Sequence, residues 1–215
     1  LLATGYTLSD DGLTYTFALR QGVSFHSGNP FTCADVEYTY KRALVVNPID
    51  SGAWVLSEVM VGEGANALEV LGEDGSDADY ADYWARIAAS VECPDAHTAK
   101  VHVLEDGPAA FARLMATAGA IVDREWAIQN GMWDGQEATW RDWVGVDLRE
   151  HGLNANASGT GAYRLVSWTQ PDGLVAEANL GYWGGAPQIR RVVYRAVPDD
   201  DARIAALISG AAGAM

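Results

Sequence analysis

The residues best suited to redox, nucleophilic or metal chemistry in this 215-residue chain are two cysteines and four histidines. Cys33 and Cys93 stand far apart, and neither belongs to a C-x-x-C pair or to a Cys/His cluster at zinc-finger spacing, so we predict no zinc site. By position alone, the two thiols form either a disulfide in an oxidising compartment or two buried free cysteines. The histidines are scattered, and we predict that His26, which lies in a loop, forms hydrogen bonds rather than binding a ligand.

Signatures of catalysis and of nucleotide binding are missing from the sequence. There is no G-x-S-x-G elbow, no H-E-x-x-H helix and no G-x-x-x-x-G-K-[ST] loop, and Gly159-Thr160-Gly161 lacks the third glycine of a dinucleotide-binding turn. The run Asp74–Asp79 is spaced like a calcium loop, but its glycine is misplaced and no glutamate closes it. Among 29 acidic residues some pair always resembles an acid and a base, so we predict no enzyme, no cofactor and no metal site.

Aromatic residues are frequent, with eight tryptophans and nine tyrosines. Such side chains line small-molecule clefts because they offer large and rigid contact surfaces. They also fill hydrophobic cores, and for any single aromatic residue the sequence favours the core.

The overall composition excludes two classes of protein. With 29 acidic and 14 basic residues the formal net charge is −15, which repels phosphate backbones, so we predict that the chain binds no nucleic acid. No apolar run approaches the roughly 20 residues of a membrane-spanning helix, and the first residues lack the basic and apolar regions of a signal peptide. The length and the 49% hydrophobic content suit one or two compact units.

The first half of the chain predicts a sheet with a helix against it. The polar turn Ser9–Gly12 predicts a β-hairpin. Thr32 and Asp35 have the spacing of a capping box and predict a helix over 33–44. Apolar and polar residues alternate over 98–103, which predicts a strand with one covered face.

The rest of the chain continues this mixture of helices and strands. The Gly- and Asp-rich stretch 62–79 has no sustained period and predicts a loop or a weakly ordered insertion. At its end, Ser76 and Asp79 can cap a helix that runs through Trp84 and Ile87. An Asp172-Gly173 turn predicts a second hairpin, and Asp199 predicts the N-terminus of the last helix. A shift of composition over 119–160 is the one candidate domain boundary.

The segment from Tyr15 to Val36 resembles a signature of the family 5 bacterial extracellular solute-binding proteins. It reads YTFALRQGVSFHSGNPFTCADV. Family members typically read Y-T-F-x-L-R, then G-V-x-F-H-D-G-x-P-F-T-A-x-D-V. This chain departs from that pattern at Ser27, where the family has aspartate, and at Cys33, where it has alanine.

Further matches follow in the order that the family shows. GTGAYRLVSW at 159–168 is similar to G-T-G-P-Y-x-L-x-x-W, with Ala162 in place of proline, and NLGYWGGAP at 179–187 is similar to N-x-x-Y-W-G-G-x-P. The segment 198–210 is similar to P-D-x-x-x-R-x-x-A-L-x-x-G. Full family members are considerably longer, so the resemblance implies that this chain is an internal fragment.

The resemblance implies a fold and a function. The fold is α/β (mixed α+β), of the periplasmic-binding-protein type II. The chain would supply most of the first lobe, with residues 1–118 as a small subdomain, residues 119–215 as part of the main subdomain, and the second lobe absent. The implied function is that of the extracytoplasmic component of an ABC importer, which binds peptides or a related small solute and delivers it to a membrane permease. The alternative is a ligand-sensing module of the same fold in a regulatory protein.

Two site assignments also rest on the resemblance. Trp54 is expected to contact the ligand, because the segment 51–56 looks like one that borders the cleft in family members. Cys33 and Cys93 are expected to form a disulfide, because the implied fold places the first helix against the sheet, and an extracytoplasmic location lets the bond persist. The family motifs themselves look architectural, since their glycines form turns and their aromatic residues pack.

Overall fold

The chain divides into two compact units. The computed structural model describes residues 1–48, 51–115, 119–148, 156–169 and 171–213. The first unit comprises Leu1–Asn154 and Ser158–Gly161, and the second comprises Ala155–Ala157 and Ala162–Met215. The assignment of 1–118 and 119–215 to two subdomains of one lobe concerns the whole protein and stays a prediction.

An antiparallel sheet of four strands forms one layer of the first unit. Its strands are β1 (Ala3–Leu8), β2 (Thr14–Leu19), β3 (Val91–Asp95) and β4 (Thr98–His102), in the order β1-β2-β4-β3. Tyr15 and Phe17 of β2 pair with Val101 and Ala99 of β4, and all four side chains are buried. One face of the sheet is therefore covered, as the alternating pattern predicts.

Helices form the rest of the first unit. They are α1 (Cys33–Val46), α2 (Trp54–Val61), α3 (Ala67–Leu71), α4 (Asp77–Ala89), α5 (Pro108–Leu114) and α6 (Arg124–Gln129), followed by a 3-10 helix at Glu137–Trp143. The predicted cap of α1 is confirmed, because Asp35 Oδ2 accepts a hydrogen bond from the Thr32 backbone N–H at 2.8 Å. The helix α1 lies centrally and contacts β3 and β4 as well as α2, α4 and α6.

The stretch 62–79 is not the loop that its composition predicts. The Asn66 side chain accepts from the Glu69 N–H at 3.0 Å and begins α3, and Ser76 Oγ accepts from the Asp79 N–H at 3.2 Å and begins α4. Side chains of this kind satisfy the free amides of a helix start. The loop prediction was wrong at Asn66, because this residue caps the short helix α3, whereas the helix start predicted at Ser76 and Asp79 is confirmed.

Several tryptophans fill the core of the first unit. Trp140 of the 3-10 helix stacks on Trp84 of α4, with ring centroids 5.5 Å apart, and on Tyr83 at 6.4 Å. Trp133 is fully buried and meets Trp84 edge-on at 6.0 Å. For these residues the core placement favoured by the sequence is confirmed.

The second unit contains an antiparallel sheet and one helix. The strands β5 (Tyr163–Thr169), β6 (Gly173–Ala178) and β7 (Arg191–Arg195) pair in that order, and α7 (Asp200–Ile208) begins at Asp199, whose side chain accepts from the Ala202 N–H at 2.8 Å. The predicted hairpin turn requires Gly173, because a Cβ atom there would lie 2.0 Å from the Tyr194 carbonyl oxygen. None of the described residues of this unit is buried.

Cys33 and Cys93 are joined by a disulfide, with their Cα atoms 5.7 Å apart. This is the pairing that the family resemblance implies. The bond ties the first residue of α1 to β3. Beside it, the Cys33 backbone N–H donates to the Ala96 carbonyl at 2.8 Å, so the start of the helix is fixed to the β3–β4 turn by a covalent bond and a hydrogen bond.

Removal of the disulfide is expected to lower the free energy of unfolding by about 4 kcal/mol, because the bond closes a long loop in the unfolded chain. The two cysteines are 60 positions apart. Urea unfolding of the double variant Cys33→Ala/Cys93→Ala measures the loss. A reductant should destabilise the wild type and leave this variant unchanged. Two alkylatable thiols in the non-reduced protein, found by intact-mass measurement, would contradict the bond.

Candidate functional site

The histidine of the first motif is committed to hydrogen bonds within the first unit. The His26 backbone N–H donates to the Gly159 carbonyl at 2.8 Å, and its Nδ1 accepts from the Gly159 N–H at 3.3 Å. Its Nε2 lies 3.0 Å from the Gly161 carbonyl oxygen. A neutral imidazole protonated at Nε2 satisfies both ring contacts. His26 is thus a hydrogen-bonding residue in a loop, as predicted, and its bonds join this loop to the distant segment 159–161.

A buried carboxylate, Asp123, lies beneath the same loop. Its Oδ2 accepts from Ser27 Oγ at 2.5 Å and from Ser158 Oγ at 2.7 Å, and its Oδ1 accepts from Asn29 Nδ2 and the Trp126 backbone N–H at 3.0 Å each. Burial raises the pKa of the Asp123 carboxyl, but these four hydrogen bonds together outweigh burial and hold the pKa below its usual value. Asp123 therefore joins the motif loop to α6 and to Ser158 as a structural anion.

A second buried carboxylate, Asp35, is also satisfied by backbone donors. Its Oδ2 accepts from Thr32, and its Oδ1 accepts from the Arg124 N–H at 3.0 Å. Burial, with the nearby charge of Asp123, raises the pKa of Asp35. Because backbone and side-chain donors already occupy these carboxylates, the two acids are not placed to act as an acid–base pair on a substrate.

Trp54, the predicted ligand contact, occupies the first position of α2. Its side chain is 50% exposed, whereas Leu56, Val59 and Met60 of the same helix are buried. The indole thus contributes only part of its surface to the core and offers the rest for contact. Its role in ligand binding stays a prediction.

The first unit also contains a cavity of about 250 Å³. Its walls carry the aromatic rings of Tyr38, Trp84 and Trp133, together with the charged side chains of Glu37 and Lys41. Trp54 is not among its lining residues. The cavity and the predicted ligand contact are therefore separate features of this unit.

The described residues show neither a metal site nor a membrane-spanning helix. No group of three or more His, Cys, Asp or Glu side chains within the described ranges is arranged to hold a metal ion. Within the same ranges, no helix combines the length and the apolar character needed to cross a bilayer.

The comparison with protein families identifies the chain. The model described as bacterial extracellular solute-binding proteins, family 5 middle region, matches residues 1–215. The chain belongs to this family. The resemblance that the motifs at 15–36 and 159–168 indicate is confirmed.

Curated relatives of this family 5 protein are longer than the chain. The glutathione-binding protein GsiB of Salmonella typhi is 30% identical over 213 residues, which are 99% of this chain and 32% of the relative. GsiB of Escherichia coli is 28% identical over the same coverage. The chain thus spans about a third of the length of the curated relatives it matches.

Solved structures share the fold of this family 5 chain. The oligopeptide-binding protein AppA of Bacillus subtilis, in complex with a nonapeptide, has a TM-score of 0.67 and 21% identity over 98% of this chain and 34% of its own. The periplasmic binding protein DppA of Helicobacter pylori, in complex with the peptide STSA, has a TM-score of 0.66 and 22% identity over 98% and 36%. The predicted fold class, a mixed α/β chain of the periplasmic-binding type, is confirmed.

Sequence reasoning missed two features of the site region. No local sequence pattern connects Asp123 with its side-chain partners Ser27, Asn29 and Ser158, which come from distant segments. The aromatic cavity was missed because Trp84 and Trp133 lie 49 positions apart, and each alone looks like an ordinary core residue.

Replacement of the buried anion is expected to destabilise the fold. Asp123→Asn puts an amide donor where four donors converge and should lower the free energy of unfolding by about 2 kcal/mol at pH 7. The pKa of Asp123 is lower in the folded protein than in the unfolded chain, where it is about 4. The carboxylate therefore contributes its full stabilisation above pH about 4 and loses it as the pH falls through the folded-state pKa. The difference in the free energy of unfolding between Asp123→Asn and wild type should therefore become smaller at acidic pH.

Urea unfolding at pH 7 and at pH 3 measures both effects. Glu125→Gln, an exposed change on the same helix, is the matched control and should alter stability by less than about 0.5 kcal/mol. Equal stability of Asp123→Asn and wild type at pH 7 would show that the four hydrogen bonds do not stabilise the protein.

Proposed function

We propose that the full-length protein containing this chain is the solute-binding component of an ABC importer. In this proposal it acts outside the cytoplasm, binds a small solute and delivers it to a permease in the membrane. The family match across residues 1–215 carries the proposal. Peptides or a related small solute are the proposed ligands, since relatives are described as binding glutathione and two similar structures hold peptides.

Binding without catalysis fits the motif residues of this chain. His26, Asp35 and Asp123 all direct their polar atoms to protein partners, which leaves none of them as a free acid, base or nucleophile. We therefore propose that the protein is not an enzyme. No observation favours the alternative of a regulatory ligand sensor.

The length of the chain bears on how a ligand would be enclosed. Because the chain spans about a third of its curated relatives, we propose that it supplies most of the first lobe, with 1–118 and 119–215 as parts of two subdomains. The second wall of the cleft would then lie outside residues 1–215. Trp54, with its exposed indole, is the proposed contact from this lobe.

Calorimetric titration of the full-length protein against glutathione, short peptides, opines and sugars tests the function. We expect one chemical class to bind saturably, without any change in the ligand, which mass spectrometry before and after incubation verifies. Chemical conversion of a bound ligand would exclude a pure binding protein. Failure of every class to bind would remove the proposed ligand range.

The isolated chain 1–215 is expected to bind the same solutes weakly or not at all. A small ligand needs most of its surface buried to bind tightly, and half of the enclosing surface would be missing. The same titrations, run on the chain alone, measure the difference. Submicromolar binding by the isolated chain would show that its residues already form a complete cleft.

Truncation of the proposed contact should weaken solute binding. We expect Trp54→Ala in the full-length protein to raise the dissociation constant about tenfold, because a buried aromatic contact at an interface contributes more than 1 kcal/mol. Trp54→Phe should recover part of the loss. Trp168→Ala, which removes another half-exposed tryptophan, is the matched control. Equal affinities of Trp54→Ala and wild type would remove Trp54 from the site.

A further inference from the structure

The aromatic cavity of the first unit has fixed walls. Tyr38 Oη donates to the Trp133 carbonyl at 2.9 Å, and Trp133 Nε1 lies 3.2 Å from both the Gln136 carbonyl oxygen and Thr139 Oγ1. Tyr38 and Trp133 stack at 6.2 Å, while Trp84 meets Trp133 edge-on. Because protein atoms satisfy the polar atoms of Tyr38 and Trp133, these two residues offer the cavity their ring surfaces.

Small residues leave the space open. Ala34 of α1 contributes only a methyl group, and Gly135, with φ +81°, contributes no side chain. The volume is about 250 Å³. A dry cavity of about 150 Å³ holds a benzene ring in another protein, so this space suits one aromatic ring with a short substituent.

The charges around the cavity sum to one positive charge. Lys41 Nζ lies 2.6 Å from Glu37 Oε1, one turn away on α1, and this pair neutralises itself. Arg124 also lines the cavity and is exposed, and its guanidinium forms no ion pair with any residue in the described ranges. Burial raises the pKa of Tyr38 to about 12, so its phenol stays neutral and adds no negative charge. The net positive charge of the lining residues favours binding of an anion.

We propose that this cavity binds a small aromatic carboxylate: the ring contacts Trp84 and Trp133, and the carboxylate pairs with Arg124. Guanidinium and carboxylate groups form strong paired hydrogen bonds, and rings pack favourably on tryptophan. The site is distinct from the solute site proposed above, because Trp54 does not line it. The proposal does not depend on the importer function.

Calorimetry on the full-length protein tests the site with four probes of similar size: benzoate, phenylacetate, benzyl alcohol and benzylamine. We expect the two carboxylates to bind saturably and more tightly than the alcohol, and benzylamine to bind least. Arg124→Gln should weaken benzoate binding about tenfold or more, through loss of charge-assisted hydrogen bonds, and leave benzyl alcohol unchanged. Arg191→Gln removes the same charge from β7 and is the matched control.

A second variant tests whether the probes bind inside the cavity or only to the charged surface around it. Ala34→Met should fill the space and abolish binding of all four probes, while thermal unfolding reports whether the variant stays folded. If Ala34→Met does not fold, nuclear magnetic resonance shifts of the Trp133 indole N–H on adding benzoate to the wild type locate the ligand instead. Trp54→Ala should leave benzoate binding intact, which distinguishes this site from the proposed solute site.

Three results would overturn the proposal. One is the absence of saturable benzoate binding at millimolar concentration. Another is benzoate binding that Arg124→Gln leaves unchanged. The third is tighter binding of benzylamine than of benzoate, which would mean that Glu37 rather than Arg124 governs the cavity.

Discussion

The first unit depends on one buried carboxylate that collects donors from separate parts of the chain. Asp123 accepts hydrogen bonds from the loop residues Ser27 and Asn29, from Ser158 and from the start of α6. A buried charge without partners costs several kcal/mol. The carboxylate of Asp123 can therefore leave water only when the segments that carry its donors are in place around it. The contact between Ser27 and Asp123 spans 96 positions and the one between Ser27 and Ser158 spans 131. One charge thus fixes the path of the motif loop.

Around this anion, α1 connects the remaining parts of the first unit. Its first residue carries the disulfide to β3, and its tyrosines reach distant carbonyls: Tyr38 donates to Trp133, and Tyr40 donates to Leu114 at 3.0 Å. Both buried phenol groups have a hydrogen-bond partner, as buried polar groups generally do. The helix α1 is therefore joined to the sheet by the disulfide and to the segments at Leu114 and Trp133 by these hydrogen bonds. Four of the residues that line the proposed aromatic site, Ala34, Glu37, Tyr38 and Lys41, belong to this helix.

Local chemistry made much of this fold predictable. The cap formed by Thr32 and Asp35, the Asp172-Gly173 turn and the cap at Asp199 all act within a few residues, and each predicted element is present. The cap at Ser76 and Asp79 was equally local and is present, but the Asn66 cap of α3 was mistaken for part of a loop because asparagine is also a common turn residue. Ser27 shows the limit of motif reading: the family pattern has aspartate there, but only the structure reveals that the facing group is already a carboxylate and requires a donor.

The exposed β7 has a consequence for the behaviour of the protein before it is fully assembled. Its apolar residues Val192, Val193 and Tyr194 lie at an open edge of the three-stranded sheet, where the unpaired backbone could recruit a strand from another molecule. Arg190, Arg191 and Arg195 flank this apolar run on both sides. Charged residues that flank an aggregation-prone strand oppose aggregation, because pairing of identical strands from two molecules would bring like charges together. Like charges on both sides of the run would oppose intermolecular β-structure in nascent and unfolded chains, an effect separate from any ligand.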